Sequence, residues 1–169
     1  MNNVLLTLLW TVTLLTTAAA KDDVPSGYVP LAKLADAQAK AKASKKLVAV
    51  TAKGNDDQCP HCASAFAQGT SALRSDCVMV FTRVSDLRAQ RETLPPALKD
   101  ASASAADGAA VAFYVFDPDL KELVTTTDRA KIQADPKSLK EVKKAVHDAQ
   151  KKLSASGSSS SGLDALKKR

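Results

Sequence analysis

Three short apolar runs decide what this chain can become. "LVAVTA" (residues 47–52), "CVMVFTRV" (77–84) and "AAVAFYVF" (109–116) are rich in Val and aromatic side chains and nearly free of charge. Runs of this length without polar alternation suit strands buried on both faces, and such strands need helices above and below them. The segments between the runs can supply those helices. "LAKLADAQAKAKASKK" (31–46) is built from strong helix formers. "CPHCASAFAQGTSALR" (59–74) opens with Pro60 in the first turn, where the missing N–H costs nothing, and spaces Phe66 and Leu73 to share a face. "SDLRAQRETL" (85–94) starts with two capping residues, Ser85 and Asp86, and is interrupted at Pro95–Pro96 before "ALKDASASAA" resumes it.

A fourth strand, "ELVTTT" (122–127), follows the turn "DPDLK" and is β-branched, as expected at or near a sheet edge. Asp135–Pro136 then caps a last helix, along which Leu139, Val142, Val146, Ala149 and Leu153 form an apolar stripe. The last two strands are antiparallel because a short turn joins them, and the earlier connections are long enough for parallel βαβ pairing. The expected architecture is α/β: a mixed central sheet of about four strands, helices on both faces, and an extra N-terminal helix.

The first twenty residues stand apart from this fold. "NVLLTLLWTVTLLTT" is apolar but short for a bilayer span, and it runs into Ala18–Ala20. This predicts a signal peptide over 1–20, cleaved after Ala20, and an extracytoplasmic protein, periplasmic or secreted, with no stable membrane span. An uncleaved anchor is the alternative, since "MNN" carries no Lys or Arg. One domain over 21–153 follows, then a flexible Ser-rich linker and basic tail over 154–169. The net charge of +6 comes from Lys and Arg spread along the chain, without an Arg- or aromatic-rich block. That describes a solvated Lys-rich surface and gives no sign of a nucleic-acid partner.

Export would let disulfides form and persist. The cysteines are Cys59, Cys62 and Cys77, too few for a disulfide-stapled scaffold. Cys59 and Cys62 lie where the first buried run feeds a helix, outside the carboxyl end of a strand, the usual place for a site in such folds. At a helix start, free N–H groups and the positive end of the dipole favour a thiolate on Cys59. Cys62, nearly one turn on, can close a ring with it or resolve a mixed disulfide. His61 adds a possible positive charge, so Pro60 and His61 are the redox-tuning positions; Asp56 and Asp57 oppose them. A structural disulfide is the plain alternative. A zinc site from the three cysteines and a histidine is the other, but no second Cys-X-X-Cys exists and His147 reads as a surface residue, so no metal and no cofactor are expected. Cys77 reads as a buried, inert thiol. Ser64, Ser71 and Ser75 sit on helix positions without a catalytic partner at any suggestive spacing.

With strand, Cys-X-X-Cys and helix in this order, residues 31–153 resemble the thioredoxin superfamily, and the lead-in "AKAKASKKLVAV" resembles that of its small exported members. Pro60–His61 is the dipeptide of DsbA-type disulfide oxidases. The resemblance implies a thioredoxin-like fold, Cys59 as nucleophile and Cys62 as resolving cysteine. It also implies protein thiol or disulfide substrates and a redox partner whose identity stays open. Three positions depart from the family pattern. Ala110 or Val111 stands where the family carries a substrate-holding cis-proline, and a non-proline cis bond costs roughly 3 kcal/mol. Gln58 replaces an aromatic before the motif. Residues 47–52 lack the buried acid that moves protons to the second cysteine. The leading expectation is an exported thiol–disulfide oxidoreductase. The alternative, favoured by these departures, is a thioredoxin-fold binding module with a vestigial or locked pair; a metal carrier using both thiolates ranks third.

Overall fold

The computed structural model describes residues 24–56, 58–103, 110–135 and 137–156. The expected signal peptide, Asp57, residues 107–109 of "DGAAVA", Pro136 and the tail from 157 onward lie outside the described residues. The remaining chain is α/β, with a five-stranded mixed sheet between two helical layers. The strands are β1 (Val29–Pro30), β2 (Leu47–Lys53), β3 (Cys77–Arg83), β4 (Val111–Phe116) and β5 (Leu123–Asp128). The helices are α1 (Leu34–Ser44), α2 (Pro60–Leu73), α3 (Val84–Ala89), α4 (Pro96–Ala103), α5 (Arg129–Ala134) and α6 (Ser138–Ser156). A 3-10 turn at Leu31–Lys33 opens into α1, within the expected N-terminal helix.

The sheet order is β1-β3-β2-β4-β5. β2 pairs parallel with β3, and β1 adds to the free edge of β3 through Val29 opposite Val80. The sheet thus has one more strand than expected, because two lead-in residues find an exposed ladder to join. β4 enters on the other side of β2 and runs antiparallel to it, so the second crossover does not make the parallel pair the connection lengths allowed. β4 and β5 are antiparallel as expected.

Alternation along the strands divides the core. Val48, Val50, Val78, Val80, Ala112, Tyr114 and Phe116 meet Ala37 and Ala41 of α1, Leu87 of α3 and Leu98 of α4. Leu47, Ala49, Cys77, Met79, Val111, Phe113 and Val115 face Ala65 and Leu73 of α2, Ile132 of α5, and Val142 and Val146 of α6. The α6 stripe is therefore buried or half-buried as its spacing requires. Beneath α2, Tyr28 stacks on Phe66 with centroids 5.6 Å apart, and Phe81 meets both rings edge-on. Gly69 lets α2 approach the sheet: a Cβ there would run into the Phe113 ring.

Two helix ends differ from what the sequence predicts. α3 begins at Val84 with Arg83 as its N-cap and no side-chain cap bond, so Ser85 and Asp86 lie inside its first turn. α6 extends to Ser156, past Leu153.

Candidate functional site

α2 begins where β2 ends. β2 runs out at Lys53, and residues 54–58 carry the chain to Cys59, the N-cap of α2. Asp56 shapes this loop by accepting the Gln58 N–H at 3.0 Å, which turns its carboxylate toward the loop backbone. Pro60 takes the first helical position, with no N–H to leave unsatisfied. The N–H of Cys62 donates to the Cys59 Sγ at 3.2 Å, as an N-cap side chain should receive it. The same N–H also points at the Cys59 carbonyl, 3.1 Å away.

Cys59 and Cys62 form a disulfide, with Cα atoms 5.2 Å apart. The two sulfurs are not equivalent. Cys59 is half-buried and borders solvent, whereas Cys62 is 2 % exposed among Ala65, Val111 and Phe113. An incoming group meets Cys59 first. Pro60 and His61 are both exposed. The His61 carbonyl accepts a bond from the Gln133 side chain of α5 at 3.3 Å, tying the motif to a neighbouring helix.

The antiparallel course of β4 brings the expected substrate loop to this end of the sheet. Val111 pairs with Lys53, and the Gly54 N–H donates to the Ala110 carbonyl at 2.8 Å. The two strands come close here, and a Cβ on Gly54 would only touch that oxygen, at 3.4 Å. Val111 is fully buried in the cluster that holds Cys62, and Ala110 packs against it together with Cys59. All peptide bonds among the described residues are trans.

Cys77 stands elsewhere. It opens β3 just past the last turn of α2, and a helix of 14 residues separates it from the pair by about 21 Å. It is a free thiol, 4 % exposed, as the sequence reading expected. Burial, reinforced by the neighbouring Asp76 carboxylate, pushes its pKa up to about 12, against a smaller opposing pull from Lys46. It therefore neither resolves the pair nor completes a four-ligand site with it. His147 is exposed on α6. Among the described residues no three His, Cys, Asp or Glu side chains gather closely enough to hold a metal ion. Ser64 and Ser71 are exposed on α2, while Ser75, expected within the helix, lies beyond its end and bonds Asp76.

Sequence reasoning missed Gln133 and the helix that carries it. The available signal was Asp128, whose carboxylate accepts the Lys131 N–H at 2.8 Å and caps α5. Among the described residues no helix is long and apolar enough to cross a membrane. No family model, no curated protein and no solved structure matches the chain.

Proposed function

We propose that this chain is a thiol–disulfide oxidoreductase of the thioredoxin superfamily that works outside the cytoplasm on protein thiols. The observation that carries the reading is the N–H of Cys62 aimed at the Cys59 sulfur at the start of α2. A donor held there stabilises negative charge on sulfur, which helps Cys59 both as nucleophile and as leaving group. In the oxidising direction, a substrate thiolate attacks the Cys59 Sγ. The Cys59–Cys62 bond breaks, and Cys62 departs as thiolate. A second substrate thiol then attacks the substrate sulfur of the mixed disulfide and releases reduced Cys59. In the reducing direction, the Cys59 thiolate opens the substrate disulfide, and Cys62 displaces the product to restore the pair. Proton and electron counts close on the two thiols and the two disulfides exchanged.

A second reading is a binding module in which the pair stays oxidised. The burial of Cys62 among apolar side chains favours it, because the thiolate released there would be poorly solvated. Insulin reduction in the presence of a small dithiol separates the two. The oxidoreductase turns over and loses turnover on Cys59→Ser. No turnover above the uncatalysed rate, with a pair that resists glutathione, rejects the enzyme and leaves the module.

A further inference from the structure

The far end of α2 borders a second cavity, enclosed by the lead-in around Gly27, by α1, by the start of β2 and by the first residues of β3. Its volume is about 230 Å3, and the charged side chains that line it are Lys40, Lys46 and Arg74, with no carboxylate. Two other clefts among the described residues differ. One beside β3 includes Asp86, and one between β5 and α6 mixes Asp117, Glu122 and Asp148 with a lysine.

The three cations come from separate stretches: Lys40 from α1, Lys46 from just before β2, and Arg74 from the C-cap of α2. Gly27 has φ +87°, a conformation that side-chain-bearing residues rarely adopt, and the Arg74 Nη2 lies 3.6 Å from where its Cβ would be, at ordinary contact distance. Arg74 also acts electrostatically on the Tyr28 hydroxyl, and Lys46 on the Cys77 thiol at the inner wall. Three of the four hydroxyls of the wall already use their protons, Ser26 being the fourth. Thr70 donates to the Phe66 carbonyl at 2.6 Å, which leaves Tyr28 to donate to Thr70 at 2.5 Å, and Ser44 donates to the Lys40 carbonyl at 2.7 Å. Among the described residues no carboxylate pairs with Lys40, Lys46 or Arg74. The charged donors of the cavity are thus three cations drawn from three stretches of chain, with the Ser26 hydroxyl beside them.

We infer that this cavity binds a small multivalent oxyanion of the phosphate class. A tetrahedral oxyanion offers acceptors in every direction, matching donors on α1, just before β2 and at the C-cap of α2, whereas a carboxylate offers them in one plane. The arginine fork supplies the directional contact and the lysines supply point charges. The volume admits a phosphate or pyrophosphate group and leaves little room for a large organic body. The site shares no residue with the disulfide pair, so its test does not depend on the redox reading.

The test is a titration of the full oxidised chain with inorganic pyrophosphate at fixed ionic strength, followed by amide NMR. Saturable shifts should centre on residues 26–29 and 77–79. Replacing Lys46→Gln and Arg74→Gln together should weaken binding at least about tenfold, since two charge-assisted contacts are lost. Removing the same two charges from α6, Lys143→Gln with Lys144→Gln, should change it by less than about twofold, because screened distant charges contribute little. Lys40→Gln alone, an exposed position on α1, provides a variant that leaves the core untouched and should weaken binding severalfold. Absence of saturation, or equal weakening by the α6 pair, overturns the site and leaves diffuse surface charge as the explanation.

Discussion

At the first turn of α2 the Cys59 sulfur borders solvent and accepts an N–H; just past the last turn the Cys77 sulfur is buried beside Asp76. The two sulfurs belong to the same residue type and lie about 21 Å apart along one helix. One end of the helix offers unsatisfied donors, the other offers carbonyls and a carboxylate. The lesson is that thiol chemistry here is set by position on the helix and by access to water. A cation near Cys77 does not compensate: Lys46 lowers its pKa by less than burial and Asp76 raise it.

The largest contrast should appear in turnover. Cys59→Ser should abolish insulin reduction, and Cys77→Ser should leave it within about twofold, since surface-remote and chemically idle groups rarely alter a distant site. A Cys77→Ser variant that folds normally and loses turnover breaks the comparison. Reactivity comes next. At pH 8 a thiol titrating at about 12 carries on the order of 10^3 fewer thiolates than a free cysteine near pKa 8.5. In reduced protein, iodoacetamide should therefore modify Cys77 last. Its rate should rise about tenfold per pH unit between pH 7 and 9, because each unit brings tenfold more thiolate. A plateau in that range places its pKa far lower. The same shift has a stability consequence. The folded thiol stays neutral while the unfolded one ionises, so its contribution is complete below about pH 8.5 and is lost as pH climbs toward about 12. Tyr114, pushed up to about 12 by burial and then by Asp128, declines over the same alkaline range, so Cys77→Ala should only partly flatten the loss.

How much of this contrast was legible in the sequence differs by element. The buried strands were, because unbroken apolar runs have few other uses, and so was the motif at a helix mouth, because Pro60 fits there and little else does. The α6 stripe was legible for the same periodic reason. β1 was not: Val29–Pro30 has no strand signal and pairs because β3 leaves an edge open. α5 was not, since six residues are too few to show a period. β4 enters antiparallel to β2, and connection length alone does not reveal it. The cationic cavity draws on four separated stretches of chain, which come together only in the folded molecule.

Gly69 lies between the two ends and measures how firmly the helix couples them. Gly69→Ala gains roughly 1 kcal/mol of helix propensity but forces its methyl into the Phe113 ring, an overpacking cost of about 1–3 kcal/mol. A net loss of about 0–2 kcal/mol should result. Chemical denaturation measures it, and amide exchange should rise at both ends of α2 together. Exchange raised at one end alone would show that the ends respond separately.

The smallest effect should come from Gln133. Its side chain donates to the His61 carbonyl at 3.3 Å across an exposed gap, so Gln133→Ala should cost no more than about 1 kcal/mol. Its value lies in direction. The bond fastens α5 to the disulfide end of α2 and touches nothing near Cys77. Gln133→Ala should therefore raise exchange at the amides of residues 61–63 and leave those of 77–79 unchanged. The reductive opening of Cys59–Cys62 should quicken slightly, because the ring gains freedom to meet an attacking thiolate. If Cys77 responds equally, α2 transmits the change along its whole length, and the two sulfurs are linked by the helix that otherwise sets them apart.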